Sequence, residues 1–426
     1  MVVTVMVAIL PGEGWAAVGA YDRHATSLRG PLLDQQQPGT PELGLPAFLE
    51  VGTRITWYMA AASVAQSRFA IVEDPACAAG GPGCYTDRAT GKHYRKTDEG
   101  PSAQGSTGLS GDGVLQVDVV AIDGTNVSVN LERYAPNREL GQLAWEPMGG
   151  GTIDGVTVPG AWVHPAQLAQ VIQEGYPGFD ILVGQTTVVD QTVPTVSFVR
   201  GLGTSTYESH TYDQGSGLLV ASSSSTGGPS SSFVIDGRPT TSTGNTQLTL
   251  TQLVGLRKRD LPGMDGRIPD WLSSTGGLQY SGAYTIFSTV DPTQTPMQLA
   301  MQQDIGITGR APGSVSYIAR TIVPGAGRDA SVPGVGGAAH LYWWDPAALR
   351  TMRAGQVLDE DPITGARLVV AHAGPGANGG DVVVVDGTAP GIATRATYDE
   401  QGMLIAFEAR LGATGEASQL QLTGVR

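Results

Sequence analysis

The chain has 426 residues, and its 39 acidic side chains outnumber its 25 basic ones, giving a formal net charge of −14. This balance argues against nucleic-acid binding and against electrostatic binding to anionic lipid, because both need a basic face. Gly (60) and Pro (27) are abundant, and charged residues make up only 15% of the chain. Short runs rich in Val, Thr and Ile, separated by turn residues, predict a mainly β protein with more than one domain.

The N-terminal residues read MVVTVMVAILPGEGWAAVGA. An apolar run followed by small residues resembles a signal peptide, although no basic leader precedes it, and a buried first strand is the alternative. We assign residues 1–44 to an N-terminal arm that ends in the polar, Pro-rich stretch LDQQQPGTPELGLP. No other apolar run is long enough for a membrane helix. We therefore predict a periplasmic or extracellular protein without a transmembrane span.

Two cysteines, Cys77 and Cys84, flank the short segment AAGGPG. A spacing with Gly and Pro in the middle favours a small loop closed by a disulfide, with free thiols or a metal-binding pair as the alternatives. A disulfide indicates an oxidising compartment, which agrees with export.

Several short phrases occur twice and in the same order. TYDQGSGLLV begins at Thr211 and TYDEQGMLIA at Thr397, while WVHPAQL begins at Trp162 and WWDPAAL at Trp343. The Tyr-Asp phrase is typical of a hairpin turn, in which Asp bonds the backbone and Gly supplies a positive φ. The Trp phrase predicts a helix start, with His or Asp as the cap and Pro in the first turn. Because the phrases occur in the same order in both parts of the sequence, we infer that one fold has been duplicated along the chain.

We predict two diverged copies, residues 45–258 and 267–426, joined by a linker at 259–266. Each copy is expected to form an antiparallel, curved sheet with one short helix packed against it, so the fold class is mainly β with a minor α+β character. The pattern is similar to the half-barrel of periplasmic lipoprotein-carrier domains, although no motif of that family can be placed on this sequence. The first copy carries longer insertions, which belong in surface loops.

No catalytic signature is present. The chain lacks a nucleophile elbow, a His-Glu-x-x-His zinc motif and a phosphate-binding Gly-rich loop. We therefore assign no catalytic residue and no organic cofactor. The turn VLDEDPITG holds Asp359, Glu360 and Asp361. A solvated acidic hairpin turn is the favoured interpretation, and a Ca²⁺ site is the alternative, because three carboxylates on one turn can bind this ion.

Aromatic residues recur at equivalent places in the two copies. Such residues mostly build a core, but on a concave face they would bind a lipid-like or other apolar ligand. The candidates for such a surface are Trp57, Tyr58, Trp271, Tyr280, Trp343 and Trp344.

Three functions fit these features. The favoured one is an exported, non-enzymatic protein that binds an apolar small molecule or an envelope partner. A structural subunit of a surface layer or filament is the first alternative, because exposed edge strands can drive self-association. An extracellular hydrolase with scattered catalytic residues is the second, since such residues need not lie close together in sequence.

Overall fold

A computed structural model describes the chain over residues 43–66, 71–79, 84–87, 91–96, 105–109, 113–137, 142–201, 206–227, 231–235, 238–242, 246–287, 295–377, 379–412 and 416–426. Nearly all of the predicted N-terminal arm, with its signal-like segment, lies outside these residues. None of the helices in the described ranges combines the length and apolar character that crossing a lipid bilayer requires.

In the part of the first domain that the structure describes, the helix is α1 (Pro165–Glu174), and the strands are β1 (Thr53–Gln66), β2 (Ile71–Glu73), β3 (Cys84–Asp87), β4 (His93–Lys96), β5 (Gly105–Leu109), β6 (Gly113–Asp123), β7 (Asn126–Asn137), β8 (Gln142–Asp154), β9 (Asp180–Val188), β10 (Gln191–Arg200), β11 (Thr206–Asp213), β12 (Leu219–Gly227), β13 (Ser231–Ile235), β14 (Arg238–Ser242) and β15 (Thr246–Lys258).

The second domain contains the one-turn helix α2 (Pro346–Leu349), and its strands are β16 (Gly277–Ile286), β17 (Met297–Ala311), β18 (Ser314–Val323), β19 (Arg328–Gly336), β20 (Val357–Glu360), β21 (Arg367–Pro375), β22 (Asp381–Ala389), β23 (Ile392–Asp399), β24 (Leu404–Leu411) and β25 (Glu416–Val425). Short 3₁₀ turns occupy Pro75–Ala79, Asp270–Ser273 and Pro324–Ala326.

Both large sheets are antiparallel and share one connectivity. The first has the order β8-β7-β6-β1-β15-β12-β11-β10-β9, with β5 paired to β1, and the second has the order β19-β18-β17-β16-β25-β24-β23-β22-β21-β20. In each, the first strand of the domain pairs with the last, and the helix connects the two halves of the meander. The predicted mainly β fold with two tandem copies is thereby confirmed.

The insertions of the first copy form a separate small sheet, in the order β14-β13-β3-β4-β2. Cys77 and Cys84 are joined there by a disulfide, with their Cα atoms 5.3 Å apart. The predicted disulfide is confirmed. It closes a loop whose ends lie in the Pro75–Ala79 turn and in β3.

In each folded domain, the turn of the Tyr-Asp phrase contacts the segment of the Trp phrase. The turn after β11 docks on the segment that enters α1, where the Val163 amide donates to the Gly217 carbonyl over 2.9 Å. In the second domain, the Trp344 amide donates to the Gly402 carbonyl over 2.8 Å. Both glycines have φ near +80° (79° and 80°). A Cβ atom at either would lie 1.9 Å from the carbonyl oxygen of the docked segment, so only glycine fits.

The tyrosine of each phrase is buried beneath this contact. The Tyr398 hydroxyl donates to the Leu341 carbonyl over 2.9 Å, and the Tyr212 hydroxyl accepts from the Gly160 amide at 3.4 Å. The helices begin as predicted, because His164 and Asp345 each accept a hydrogen bond from the backbone two residues on. The repeated residues therefore have the same structural roles in both domains, as a hairpin turn and as a helix cap.

The domains pack through a shared interface. Strand β6 is buried along both faces. Leu115 and Val117 lie in the core of the first domain, whereas Val114 belongs to the core of the second. The side-chain amide of Asn130 donates to the Val335 carbonyl over 2.7 Å and accepts from the Val335 amide at 3.3 Å. The face of β6 and β7 that an isolated sheet would turn to water is covered by the second domain.

We expect Gly217→Ala to lower the free energy of unfolding by about 2–3 kcal/mol, since it adds backbone strain and a collision with the Val163 carbonyl. Gly215→Ala, in the same turn, is the matched control, because its Cβ would meet nothing closer than 3.7 Å. Urea unfolding followed by tryptophan fluorescence measures both. Equal stability of the two variants would contradict the docking argument.

Candidate functional site in the cleft between the domains

A small cleft, with a volume of about 40 Å³, lies where the two domains meet. Its first-domain side carries Arg54 on β1, Glu132 on β7 and Trp145 on β8. The side contributed by the second domain is mixed, because Leu368 and Ile392 lie there together with Asp359, Arg367, Thr388 and Thr394. The first-domain side, with the buried charges of Arg54 and Glu132, is called the polar wall.

Arg54 is the centre of the polar wall. Its Nε and Nη2 atoms reach the two carboxylate oxygens of Asp118 on β6 at 2.6 and 2.5 Å. Its Nη1 atom reaches Asp361 of the second domain at 3.1 Å. The Arg54 side chain is only 3% exposed. A buried bidentate pair such as Arg54–Asp118 is strong and directional, and the Arg54–Asp361 bond crosses the domain boundary.

Two further arginines extend this network. Arg259 donates to Asp118 over 2.9 Å and, through Nε, to Asp359 over 2.8 Å. Arg257 donates to Asp359 over 2.7 Å. Burial alone would raise the pKa of Asp359, but Arg259 and Arg257 outweigh it and hold that pKa at about 2. The segment predicted as a linker, at 259–266, therefore takes part in the interface.

The acidic turn VLDEDPITG supplies the second-domain half of the network. Asp361 accepts the Ile363 amide at 2.9 Å through Oδ1, which shapes the turn, and presents Oδ2 to Arg54 and Gln116. Glu360 points to the surface and pairs with Arg367 at 3.5 Å. Within the described ranges, no three His, Cys, Asp or Glu side chains are grouped so as to hold a metal ion. Ca²⁺ binding at this turn stays a prediction, and its two aspartates are already paired with arginines.

Glu132 is the surplus acid of this site. The network balances the arginines at 54, 257 and 259 against the aspartates at 118, 359 and 361. The Glu132 Oε2 atom lies 3.4 Å from Arg54 Nη2, a guanidinium already held by Asp118. Burial raises the pKa of Glu132 to about 8, Arg54 opposes the shift and Asp118 adds to it. Burial therefore favours the neutral, protonated form of this carboxyl group.

The aromatic residues proposed as a ligand surface lie mostly in the two cores. Trp57, Tyr280, Trp343 and Trp344 are buried. Each uses its polar atom on a backbone carbonyl, those of Leu219, Leu404, Gly337 and Pro262 respectively. Tyr58 and Trp271 are partly buried, and the Trp271 indole donates to the Gln401 carbonyl over 3.0 Å. None of the six lines the cleft, and their contact with a ligand stays a prediction.

A second buried polar cluster lies inside the first domain. His210 Nε2 is 2.8 Å from Glu208, whose other oxygen accepts from Arg200. His210 lies directly opposite Ser222 in the β11–β12 register. Among the described residues no hydrogen bond partner reaches His210 Nδ1. A buried histidine–carboxylate pair therefore lies in the first-domain sheet, across from Ser222.

No family model and no curated protein sequence matches this chain. Among solved structures, the MucA/MucB complex of Pseudomonas aeruginosa aligns over 86% of this chain and 89% of that one, with 11% identity and a TM-score of 0.18. A "putative AttH" of Nitrosomonas europaea aligns over 92% of this chain and 99% of that one, with 9% identity and a TM-score of 0.14. At such TM-scores the alignments carry no argument about function.

We expect Arg54→Leu to lower the free energy of unfolding by about 3–5 kcal/mol, because it leaves Asp118, Glu132 and Asp361 without their shared cation in a buried site. Arg395→Leu is the control, since Arg395 is half exposed and its pair with Asp386 is worth about 1 kcal/mol or less. Urea unfolding of both variants tests this, and similar losses would contradict a central role for Arg54.

Because the pKa of Glu132 is raised in the folded protein, we expect the free energy of unfolding to depend on pH. Its folded pKa of about 8 exceeds its ordinary value of 4.5, so the folded state binds the extra proton between these values. Stability therefore falls as pH rises through that window. Glu132→Gln cannot ionise, and we expect it to be more stable than the wild type above about pH 8 by about 1 kcal/mol or more. Thermal unfolding across that pH range measures the difference, and parallel wild-type and variant curves would contradict it.

Proposed function

We propose that this protein is a non-enzymatic binding protein that holds a small amphiphile in the cleft between its two domains. The observation that carries the proposal is the two-sided lining, with Arg54 and Glu132 on one wall and Leu368 and Ile392 on the other. Ligand sites commonly lie at domain interfaces, with a mainly apolar lining and a few placed polar groups. A carboxyl group with a strongly raised pKa at such a place supports the same view.

Large aromatic side chains occupy the interior of each domain. In the first domain, Trp57, Trp162 and Phe198 are fully buried. In the second, Trp343 and Trp344 do the same, together with the tyrosines beside them. The apolar ligand expected from the sequence is therefore proposed for the cleft and not for the concave faces.

Export is part of the same proposal. The Cys77–Cys84 disulfide supports an oxidising compartment such as the periplasm or the cell exterior. An envelope partner is compatible with this location. Self-assembly has one structural feature in its favour, the edge strand β9, where Leu182 and Val183 are more than half exposed.

Filling the cleft should weaken binding. We expect the full chain to bind compounds with an eight-carbon chain, tested as octanoate and 1-octanol by isothermal titration calorimetry. Ala389→Trp, which puts a bulky side chain into the cleft lining, should weaken this binding about ten-fold or more. Ala393→Trp is the matched control, because Ala393 is exposed on the next strand and does not line the cleft.

The proposal fails if neither compound binds the wild type, or if both tryptophan variants bind as the wild type does. Far-ultraviolet circular dichroism and the thermal midpoint of each variant show that its fold is intact. A loss of binding in Ala393→Trp alone would place the site outside the cleft.

A further inference from the structure

We propose that two copies of this chain associate through strand β9, which pairs antiparallel with β9 of the second copy about a two-fold axis. The large sheet of the first domain then continues from one copy into the other. No residue of β9 lines the cleft, so this inference goes beyond the proposed function and does not depend on it.

Strand β9 ends the first large sheet in the described part of the chain, where β10 pairs with one side of it. Val189 and Asp190 connect the two strands, and both have positive φ, 45° and 64°. A two-residue hairpin turn of this kind makes its flanking residues, Val188 and Gln191, a hydrogen-bonded pair. Because such pairs alternate along the ladder, every second residue of β9 turns its backbone N–H and C=O groups away from β10. These outward-facing residues are Ile181, Val183, Gln185 and Thr187.

The position of Pro194 on β10 supports this alternation. Pro194 lies opposite Gln185 and has no N–H group to donate to β9. Its carbonyl accepts from the Gln214 amide, just after β11, at 2.9 Å. The backbone groups of this pair therefore lie outside the β9–β10 ladder. A row of outward-facing backbone groups on an edge strand is a template for pairing with another chain.

The other ends of the two strand orders are protected. Strands β8 and β19 lie against each other, since a Cβ atom at Gly149 would be 3.1 Å from the Pro333 carbonyl oxygen. Strand β20 has only four residues and carries Asp359 and Glu360, and charge on a short edge opposes pairing. Strand β9 has nine residues, and its charged residue is Asp180 at its start. It therefore lacks the features that keep an edge strand from pairing.

The side chains of β9 fit a second copy of the same strand. Leu182 and Val183 lie on opposite faces and are 52% and 60% exposed. Pairing between outward-facing residues allows Val183 to lie opposite Val183 of the second copy. Leu182 then lies opposite Gly184 of the second copy, where a Cβ atom would have nothing within 4 Å, so there is space for the leucine. Each copy therefore covers apolar side chains of the other on both faces of the sheet.

Charge does not oppose this register at the contact. Each copy has a formal net charge of −14, so two copies repel each other at long range. In the proposed register Asp180 lies opposite Thr186 of the second copy, and the two Asp180 residues are about 20 Å apart along the strands. This distance exceeds the Debye length of about 8 Å at physiological ionic strength. The edge therefore brings no like charges together, and it offers no charged cluster that a basic or acidic partner would recognise.

A two-fold pairing of this kind is closed. It uses the β9 edge of both copies, so it gives a dimer and not a filament. The contact is one strand wide and falls below the roughly 1,000 Å² of a stable interface, so we expect a weak dimer with a Kd on the order of 100 µM.

Sedimentation equilibrium of the full chain between about 5 and about 500 µM tests the dimer. Val183→Lys should weaken association about ten-fold or more, because two ammonium groups would then lie opposite each other. Val189→Lys is the matched control, since Val189 is 58% exposed in the turn of the same hairpin but lies outside the paired backbone. Far-ultraviolet circular dichroism shows that both variants keep their fold.

Disulfide cross-linking tests the register. Val183→Cys should form linked dimers under mild oxidation, because it meets its own copy across the two-fold axis, whereas Cys77 and Cys84 are already bonded to each other. Thr187→Cys is the control, since it also faces outward but lies about 26 Å from its own copy in this register. Non-reducing gel electrophoresis measures both.

The outcomes are distinct. A chain that stays monomeric at every concentration overturns the inference and leaves the β9 edge for a strand of another protein. Association that is unchanged in Val183→Lys belongs to another surface, and growth beyond the dimer contradicts a closed pairing. Equal cross-linking of the two cysteine variants overturns the register. Ligand binding in the cleft is measured separately on the same variants, so none of these results decides the proposed function.

Discussion

The buried guanidinium of Arg54 is the constraint on which the arrangement of the two domains depends. It lies on β1, is almost wholly removed from water, and reaches carboxylates of both domains. Burying a charge without a partner is costly, so neither domain can bury its share of the network alone. The first domain supplies the arginines and Asp118, and the second supplies the aspartates of one turn. The cleft exists at the edge of this contact, and its polar wall is part of the same network.

The sequence predicted the duplicated β fold because the repeated phrases are local. A positive φ at Gly217 or Gly402, an Asp that bonds its own turn, and a Pro at the start of a helix each depend on a few neighbouring residues. The aromatic residues are a different case. Alternation along β1 shows that Trp57 and Arg54 face opposite sides of a strand, but it cannot show which side a second layer will close. Trp57 therefore lies in a filled core, whereas Arg54 lies at the domain interface.

The cleft could not be predicted because its residues meet only after both domains have folded. Arg54 and Asp361 are 307 positions apart. One signal was present in the sequence, in that β6 and β7 alternate apolar residues with Gln116, Asp118 and Glu132. The same alternation is typical of a strand that has one face in the core and its polar face in water. Here that polar face is buried by the other domain, a distinction that alternation alone cannot make.

The site combines strands that the two copies share with one strand that only the second sheet has. The shared elements, the docked glycine turn and the buried tyrosine, serve stability in both domains. Strand β20, which carries Asp359 and Glu360, has no counterpart in the strand order of the first sheet. Asp361 follows β20 directly, so this added strand brings the aspartates that join the domains. Their partner Arg54 lies on β1, and Arg257 lies on β15, two strands with counterparts in the second sheet. The interface therefore joins one added strand of the second copy to a framework that both copies share.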